Sequence, residues 1–322
     1  MEKEKTSKIK HLMYVPFTGL GLYNGFRGDR WLRNRIEIFK QFVVPSLQSQ
    51  TSQEFIIWVS WRWEERHNPL VLRLRDYLEA IFNTKRVIFT FSGVCFYDDK
   101  YMDGDARDRL ITAVHGALPD LLEVIANYDH VLMTIQPSDD LYHHKAVEVV
   151  QKILRETDFQ AVGFQKGYIC NYNTQEVAEY NPTTNPPFFT IKFPKEIFID
   201  PLKHAKYTAL KVDIGKYKVG TPCPSHEYIG GCLKYASIGD LRGFLVGTHG
   251  ENISTVFSHP FKGDPVAKEI LKEFGIYDVQ PLEISYSWRK KVLRQLPHST
   301  QRKIRYIFGE KIWQRMYNFL RS

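Results

Sequence analysis

The chain has 322 residues, with 44 basic and 36 acidic side chains and a formal charge of +8. That length suits one large α/β domain with appendages, or two domains. A hydrophobic fraction of 43% beside 25% charged residues excludes a disordered chain, a collagen and a coiled coil, and no apolar run reaches the ~18 residues of a membrane span.

The positive charge is gathered at one end. Residues 289 to 322 carry ten basic residues (Arg289, Lys290, Lys291, Arg294, Arg302, Lys303, Arg305, Lys311, Arg315 and Arg321) against Glu310, a net +9, which leaves the body near −1. This argues against a surface built throughout for polyanions. The opening residues 1–10 are charged, lack the apolar core of a secretory signal and read as a flexible terminus. Four cysteines, Cys95, Cys170, Cys223 and Cys232, form no CxxC pair. They read as thiols in a reducing cytosol, not as a disulfide framework or a zinc site.

In chain order, His11 to Phe17 is a predicted strand, followed by a stretch with Gly19, Gly21, Gly25 and Gly28. Trp31 to Gln48 has helical spacing, which Pro45 should end or kink. Phe55 to Trp61 is a strand, Pro69 to Phe82 a helix and Arg86 to Phe91 a strand. Ala106 to Asn127 is a helix interrupted near Pro119, His130 to Ile135 a strand and Leu141 to Thr157 a helix. Alternation of this kind predicts a mostly parallel, Rossmann-like sheet flanked by helices. From about residue 158, short strands (Ala161 to Phe164, Tyr168 to Tyr172, Phe188 to Phe193) between Asn/Pro-rich loops predict a mixed β extension of the same sheet. One domain is therefore expected over 11–282, followed by a basic helical tail over 283–322.

Ligands of parallel sheets bind beyond the carboxyl ends of the strands, so the loops after Phe17, Trp61, Phe91 and Ile135 should share one face. The last reads Gln136-Pro-Ser-Asp-Asp140. Adjacent carboxylates suit a hard cation such as Mg²⁺ or Mn²⁺, which would offset the charge of a diphosphate. They suit equally the cap of a helix starting at Leu141. Arg107 and Arg109 open the preceding helix, where a guanidinium fork would pair with a phosphate or with a surface carboxylate.

The order Ala106-Arg107, helix, strand, Asp139-Asp140 resembles nucleotide-sugar-dependent glycosyltransferases of the GT-A type. Trp31-Leu-Arg-Asn-Arg-Ile-Glu-Ile-Phe39, Pro45-Ser-Leu-Gln-Ser-Gln-Thr51 and His249-Gly-Glu-Asn-Ile-Ser254 are similar, more specifically, to a rhamnosyltransferase family. Across about residues 11–260, that family's motifs are a Trp-Leu-x-x-Arg-x-x-x-Phe helix, a Pro-Ser-x-x-x-Gln-Thr turn and an Asp-x-Asp-Asp. Here Pro137 stands for the first acid of the last motif. The resemblance implies a GT-A-like fold and transfer of a sugar from a nucleoside-diphosphate sugar to a saccharide or lipid-linked acceptor. It implies donor contacts from Pro16, Phe17 (as a surface for the base), Thr18, Asn24, Arg107, Arg109, Ser138 and Asp139. The implied Mg²⁺ or Mn²⁺ ligands are Asp139, Asp140 and His249, and Pro137 puts metal dependence in question. An inverting transfer needs a general base, and the resemblance places it at His226-Glu227, with Glu227 first and His226 in reserve. A metal-independent enzyme and a non-catalytic nucleotide- or carbohydrate-binding module remain open.

In the tail, Ile304, Phe308, Ile312, Met316 and Leu320 recur every fourth residue among the basic side chains. Such a helix suits an anionic bilayer surface or packs its stripe on the body. No nucleic-acid signature accompanies it. A cytoplasmic protein, peripheral at the inner membrane face, is expected.

Overall fold

The computed structural model describes residues 7–18, 28–93, 106–250, 252, 257–278, 280 and 282, the side chains of 106–112 excepted. The basic tail, Asn24 and Cys95 lie outside them. Strand β1 (Ile9–Val15) pairs in parallel with β2 (Ile56–Arg62) on one side and β4 (His130–Ile135) on the other, and β2 pairs with β3 (Val87–Gly93). Ile9 and Lys10, expected in a flexible terminus, are strand because they register with His130 and Val131. Alternation decides the layers. Met13, Val15, Ile57 and Val59 face one core, and Leu12, Tyr14, Ile56 and Trp58 face the other.

The first core is covered by three helical pieces and by α5 (Ala146–Glu156). These pieces are α1 (Gly28–Ile38), α2 (Val44–Gln48) and α3 (Pro69–Phe82). A π turn over Phe39–Val43 joins α1 to α2, widening the helix ahead of Pro45, whose ring would otherwise meet the carbonyl four residues back. The proline therefore sits in the first turn of α2 instead of ending the run. α3 starts where expected: Asn68 caps Leu70 N–H, Pro69 takes the first helical position, and Leu70, Val71, Leu74, Leu78 and Phe82 form its buried stripe.

The second core is covered by α4 (Ala106–Ile125), which runs through Pro119 because Val114, Ala117, Leu121 and Ile125 hold both halves to the sheet. The helix predicted from Leu141 starts five residues later. Leu141–Tyr142 is instead a short strand, β5, whose backbone is taken by Leu245 and Phe244.

Beyond β4 the sheet turns mixed. β6 (Ala161–Asn171) merges two predicted strands, β7 (Glu176–Tyr180) folds back on it, and β8 (Phe189–Pro194) lies antiparallel between β4 and β6. α6 (Lys195–Phe198), α7 (Pro201–Tyr207) and α8 (Ile229–Cys232) follow. β9 (Tyr235–Thr248) then runs parallel to β6, and β10 (Lys262–Val266) closes the edge on β7. Among the described residues the sheet has ten strands, in the path β10-β7-β6-β8-β4-β1-β2-β3 with β9 on β6. No helix among them is long and apolar enough to cross a membrane.

Candidate functional site

The parallel strands stand in the order β3-β2-β1-β4. Chain direction across the sheet reverses between β1 and β4, and the crevice outside their carboxyl ends is where ligands of such sheets bind. Pro16, Phe17 and Thr18 leave β1 there, and Gln136 to Asp140 leave β4, held together by Gln136 N–H on the Tyr14 carbonyl at 2.7 Å. β9 reaches the same place from the far side. Gly247 N–H donates to Asp140 Oδ1 at 2.9 Å, and a side chain at 247 would collide with the Asp139 carbonyl and the Tyr172 ring. Gly250, at φ 75°, turns the chain so that Asn252 folds back. Its amide donates to Asp139 Oδ2 at 3.1 Å and its carbonyl oxygen accepts His249 N–H at 2.8 Å.

Asp139 is the centre of this arrangement. Besides Asn252, its Oδ2 meets Arg35 Nη1 at 2.6 Å and His249 Nε2 at 3.1 Å, while Arg35 Nη1 lies 3.0 Å from His249 Nε2. Arginine only donates, so Nε2 either accepts from Arg35 or donates to Asp139, never both at once. Tyr172 hydroxyl donates to the Asp139 carbonyl at 2.8 Å. Burial alone would raise the Asp139 carboxyl, but Arg35 and His249 hold it well below the ordinary range. Asp140 moves the other way: burial, then repulsion from Asp139, push it well above the usual carboxylate value. The pair is thus pushed apart: Asp139 downward by its arginine and histidine partners, and Asp140 upward by burial and by Asp139 itself.

A second polar cluster lines the same rim. Thr18 hydroxyl donates to Glu65, Arg62 N–H donates to Thr18 Oγ1 at 3.1 Å, and the Arg62 guanidinium lies 3.8 Å from Glu65. Burial, above all, raises the Glu65 carboxyl despite these partners. Phe17 does not offer the expected surface for a base. Its ring is fully buried, stacked on Trp61 at 4.5 Å and edge-on to Phe39, and it supports the loop from below.

Glu227 and His226 lie in a 3₁₀ turn, His226–Tyr228, before α8. Thr184 hydroxyl donates to Glu227 Oε1 at 3.3 Å, and the Asn185 amide donates to its carbonyl. Because β8 is antiparallel to β4, the loop preceding it lies beyond the carboxyl end of β4, so Glu227 is on the rim that carries Asp139. No hydrogen bond or ion pair among the described residues joins the two. His226 Nδ1 is 2.6 Å from the Asn185 carbonyl, which can only accept, so Nδ1 is the donor of this bond. Arg107 and Arg109 fall in the first turn of α4, outside the described side chains. Ser138 is buried beside Asp139.

The expected Mg²⁺ or Mn²⁺ does not fit the donor set as it stands. Asp139 Oδ2 already takes Arg35 and Asn252, Asp140 Oδ1 takes a backbone N–H, and the same guanidinium nitrogen that meets Asp139 also touches His249. Among the described residues, no group of three His, Cys, Asp or Glu is placed to share an ion.

Arg35 and Asn252 enter the sequence reading only as letters of motifs. A signal for Arg35 was present: it falls on the inward stripe with Trp31, Leu32, Ile36 and Phe39, and a buried arginine demands an acid. Arg62, the last residue of β2, and Glu65 in the turn after it belong to no recognised motif.

No protein-family model matches the chain, and no curated protein matches it. Among solved structures, it is similar to residues 1–349 of S. aureus TarS, with TM-score 0.39 and 12% identity over 74% of this chain and 60% of that one. The same fragment in complex with UDP-GlcNAc gives TM-score 0.38 and 11% identity over 75% and 59%. A Desulfovibrio desulfuricans protein described as a candidate nucleotide-diphospho-sugar transferase gives TM-score 0.34 and 14% identity over 75% and 81%. The chain thus spans about three-fifths of the TarS fragment.

Proposed function

We propose that this chain is a glycosyltransferase of GT-A type that moves a sugar from a nucleoside-diphosphate donor to a hydroxyl of a saccharide or lipid-linked acceptor, with inversion. The observation that carries the reading is the placement of Asp139 and Asp140 at the β1/β4 reversal, closed by His249 and Asn252 from β9, together with the motif resemblance over the same segments. The donor lies across the carboxyl ends of β1 and β4. Thr18 and Pro16 face the nucleoside, Ser138 and Asp139 face the ribose and diphosphate, and the motif resemblance adds Asn24 to the donor contacts. Arg107 and Arg109 take the outer phosphate charge.

The acceptor approaches over the Glu227 rim. Its oxygen forms the new bond to the anomeric carbon as the bond from that carbon to the diphosphate oxygen breaks. The electron pair leaves with the nucleoside diphosphate, and the hydroxyl proton passes to Glu227. His226, in the same turn, is the reserve base. The sugar transferred is a hexose, and the motif resemblance suggests rhamnose. The basic 289–322 segment would hold the protein at the cytoplasmic face of an anionic bilayer, close to a lipid-linked acceptor.

A thermal-shift panel of UDP, GDP, CDP, dTDP and ADP tests the donor half. A shift confined to one base is expected, and no shift with any of them would overturn the reading. With the matching donor sugar, Glu227→Gln should keep the shift and lower turnover about 10²- to 10⁴-fold. A nucleotide shift with no turnover or donor hydrolysis on any donor would replace catalysis by the binding-module reading. Co-sedimentation with phosphatidylglycerol vesicles, lost at high salt, is expected of the full chain; binding to neutral and anionic vesicles alike would remove the tail's proposed role.

A further inference from the structure

We infer that Arg35 is a built-in cation of the donor site, standing where a divalent ion would bridge Asp139 and His249, and that donor binding is therefore independent of metal. The inference rests on the donor reading above and extends it to the source of positive charge. Asp139 Oδ2 and His249 Nε2 are 3.1 Å apart. That is the spacing of two neighbouring ligands on an octahedral ion with bonds of about 2.1 Å, whose edge is about 3 Å. Arg35 Nη1 lies against both atoms of that edge, 2.6 Å from the oxygen and 3.0 Å from the nitrogen. In the tautomer that leaves Nε2 unprotonated, Arg35 donates to both, and two acceptor atoms are held at close range by one shared positive charge, as by an ion.

The seat is built and not incidental. The Arg35 side chain is 4% exposed, it is carried on the inward stripe of α1, and the Trp31 ring lies 5.8 Å from its guanidinium carbon. Asn252 supplies a further donor to the same oxygen, and the collision awaiting any side chain at 247 shows how closely β9 is drawn onto this point. A guanidinium cannot lose its proton near neutral pH and cannot be chelated away, so charge at Asp139 is fixed by the chain itself. Pro137, in place of the first acid of the motif, fits this arrangement, since one resident cation needs one firm carboxylate.

The test is Mn²⁺ binding followed by the electron paramagnetic resonance of the free ion, with the nucleotide panel run in EDTA and in Mn²⁺. The wild-type chain should leave the Mn²⁺ signal unchanged, and the nucleotide shift should be the same in both buffers. Arg35→Ala vacates an edge with metal-ligand spacing, so it should take up one Mn²⁺ per chain. Its nucleotide affinity should fall about ten- to a hundredfold in EDTA and recover with Mn²⁺, a gain that a merely structural arginine would not give. Arg35→Lys keeps a cation and should remain indifferent to Mn²⁺. Stoichiometric Mn²⁺ on the wild-type chain, or a nucleotide shift seen only with Mn²⁺, would overturn the inference and leave the donor reading standing. These wild-type measurements decide it even if Arg35→Ala does not fold. No shift with any nucleotide in either buffer removes the donor reading, and the inference with it.

Discussion

At Asp139 the strengths of single contacts decide the outcome. The carboxylate and the Arg35 guanidinium are both buried, and removing one partner of such a pair costs far more than the pair's net worth, because the other charge stays behind without compensation. Asp139→Asn should therefore lower stability by about 3–5 kcal/mol, read as a fall in the urea midpoint. Pairing it with Arg35→Met should return much of the loss, since two neutral groups need no counter-charge. Additive losses in the double variant would show that the two residues act separately. Of this cluster the sequence made Asp139, Asp140 and His249 legible, because acids after a strand and a glycine-flanked histidine carry local signals. Their partners are 104 and 113 residues away along the chain from Asp139, and no local pattern reports which arginine or asparagine a carboxylate will meet. Phe17 illustrates the opposite failure. An aromatic at a strand end suits either a stack for a base or a wedge in the core, and only packing against Trp61 and Phe39 distinguishes them.

Elements set by local chemistry were legible almost to the residue. α3 has its cap, its proline and its stripe within fifteen residues, and β4 centres on the apolar run Val131-Leu-Met133, so both follow from short-range rules. β9 does not. Its first eight residues are half-exposed and contain Gly239, Asp240 and Arg242, a poor strand signal that pairing with β6 overrides. β9 nevertheless positions the site, and its closeness to β4 requires glycine at 247. Gly247→Ala should cost about 1–3 kcal/mol and, by pushing β9 off Asp139, should weaken nucleotide binding. Gly239→Ala in the same strand meets open space and should do neither. Calorimetric melting and nucleotide titration of the two variants check this, and equal effects would count against a special role for the β9 end.

On the scale of the whole molecule, the +8 charge separates into an almost neutral body and a basic tail, so global electrostatics say little about how the body is held together. A buried polar chain says more, because it ties three strands to a helix. Gln151 of α5 donates to His11 Nδ1 at 3.2 Å, which leaves His11 Nε2–H to donate to Thr134 of β4 at 2.8 Å, and Thr134 in turn contacts Thr190 of β8. Gln151 also donates to the Glu54 carbonyl just before β2 and accepts from Ser52. The network needs a neutral imidazole. Burial, with a smaller contribution from Arg155, lowers the His11 pKa from 6.5 to about 3. Unfolding restores the ordinary value, so between those limits the unfolded chain binds the extra proton. The stabilisation is therefore fully present above pH 6.5 and is lost as pH falls toward 3, with a slope of up to about 1.4 kcal/mol per pH unit. Carboxylates titrate in the same acid range, so the informative quantity is the difference between the wild type and His11→Gln, which cannot take up the proton. Urea midpoints measured from pH 7 to 4.5 should converge as pH falls, the wild type losing its advantage over the variant. Parallel pH profiles would mean that His11 is not held neutral in the folded chain and that the strands and helix are joined by some other means.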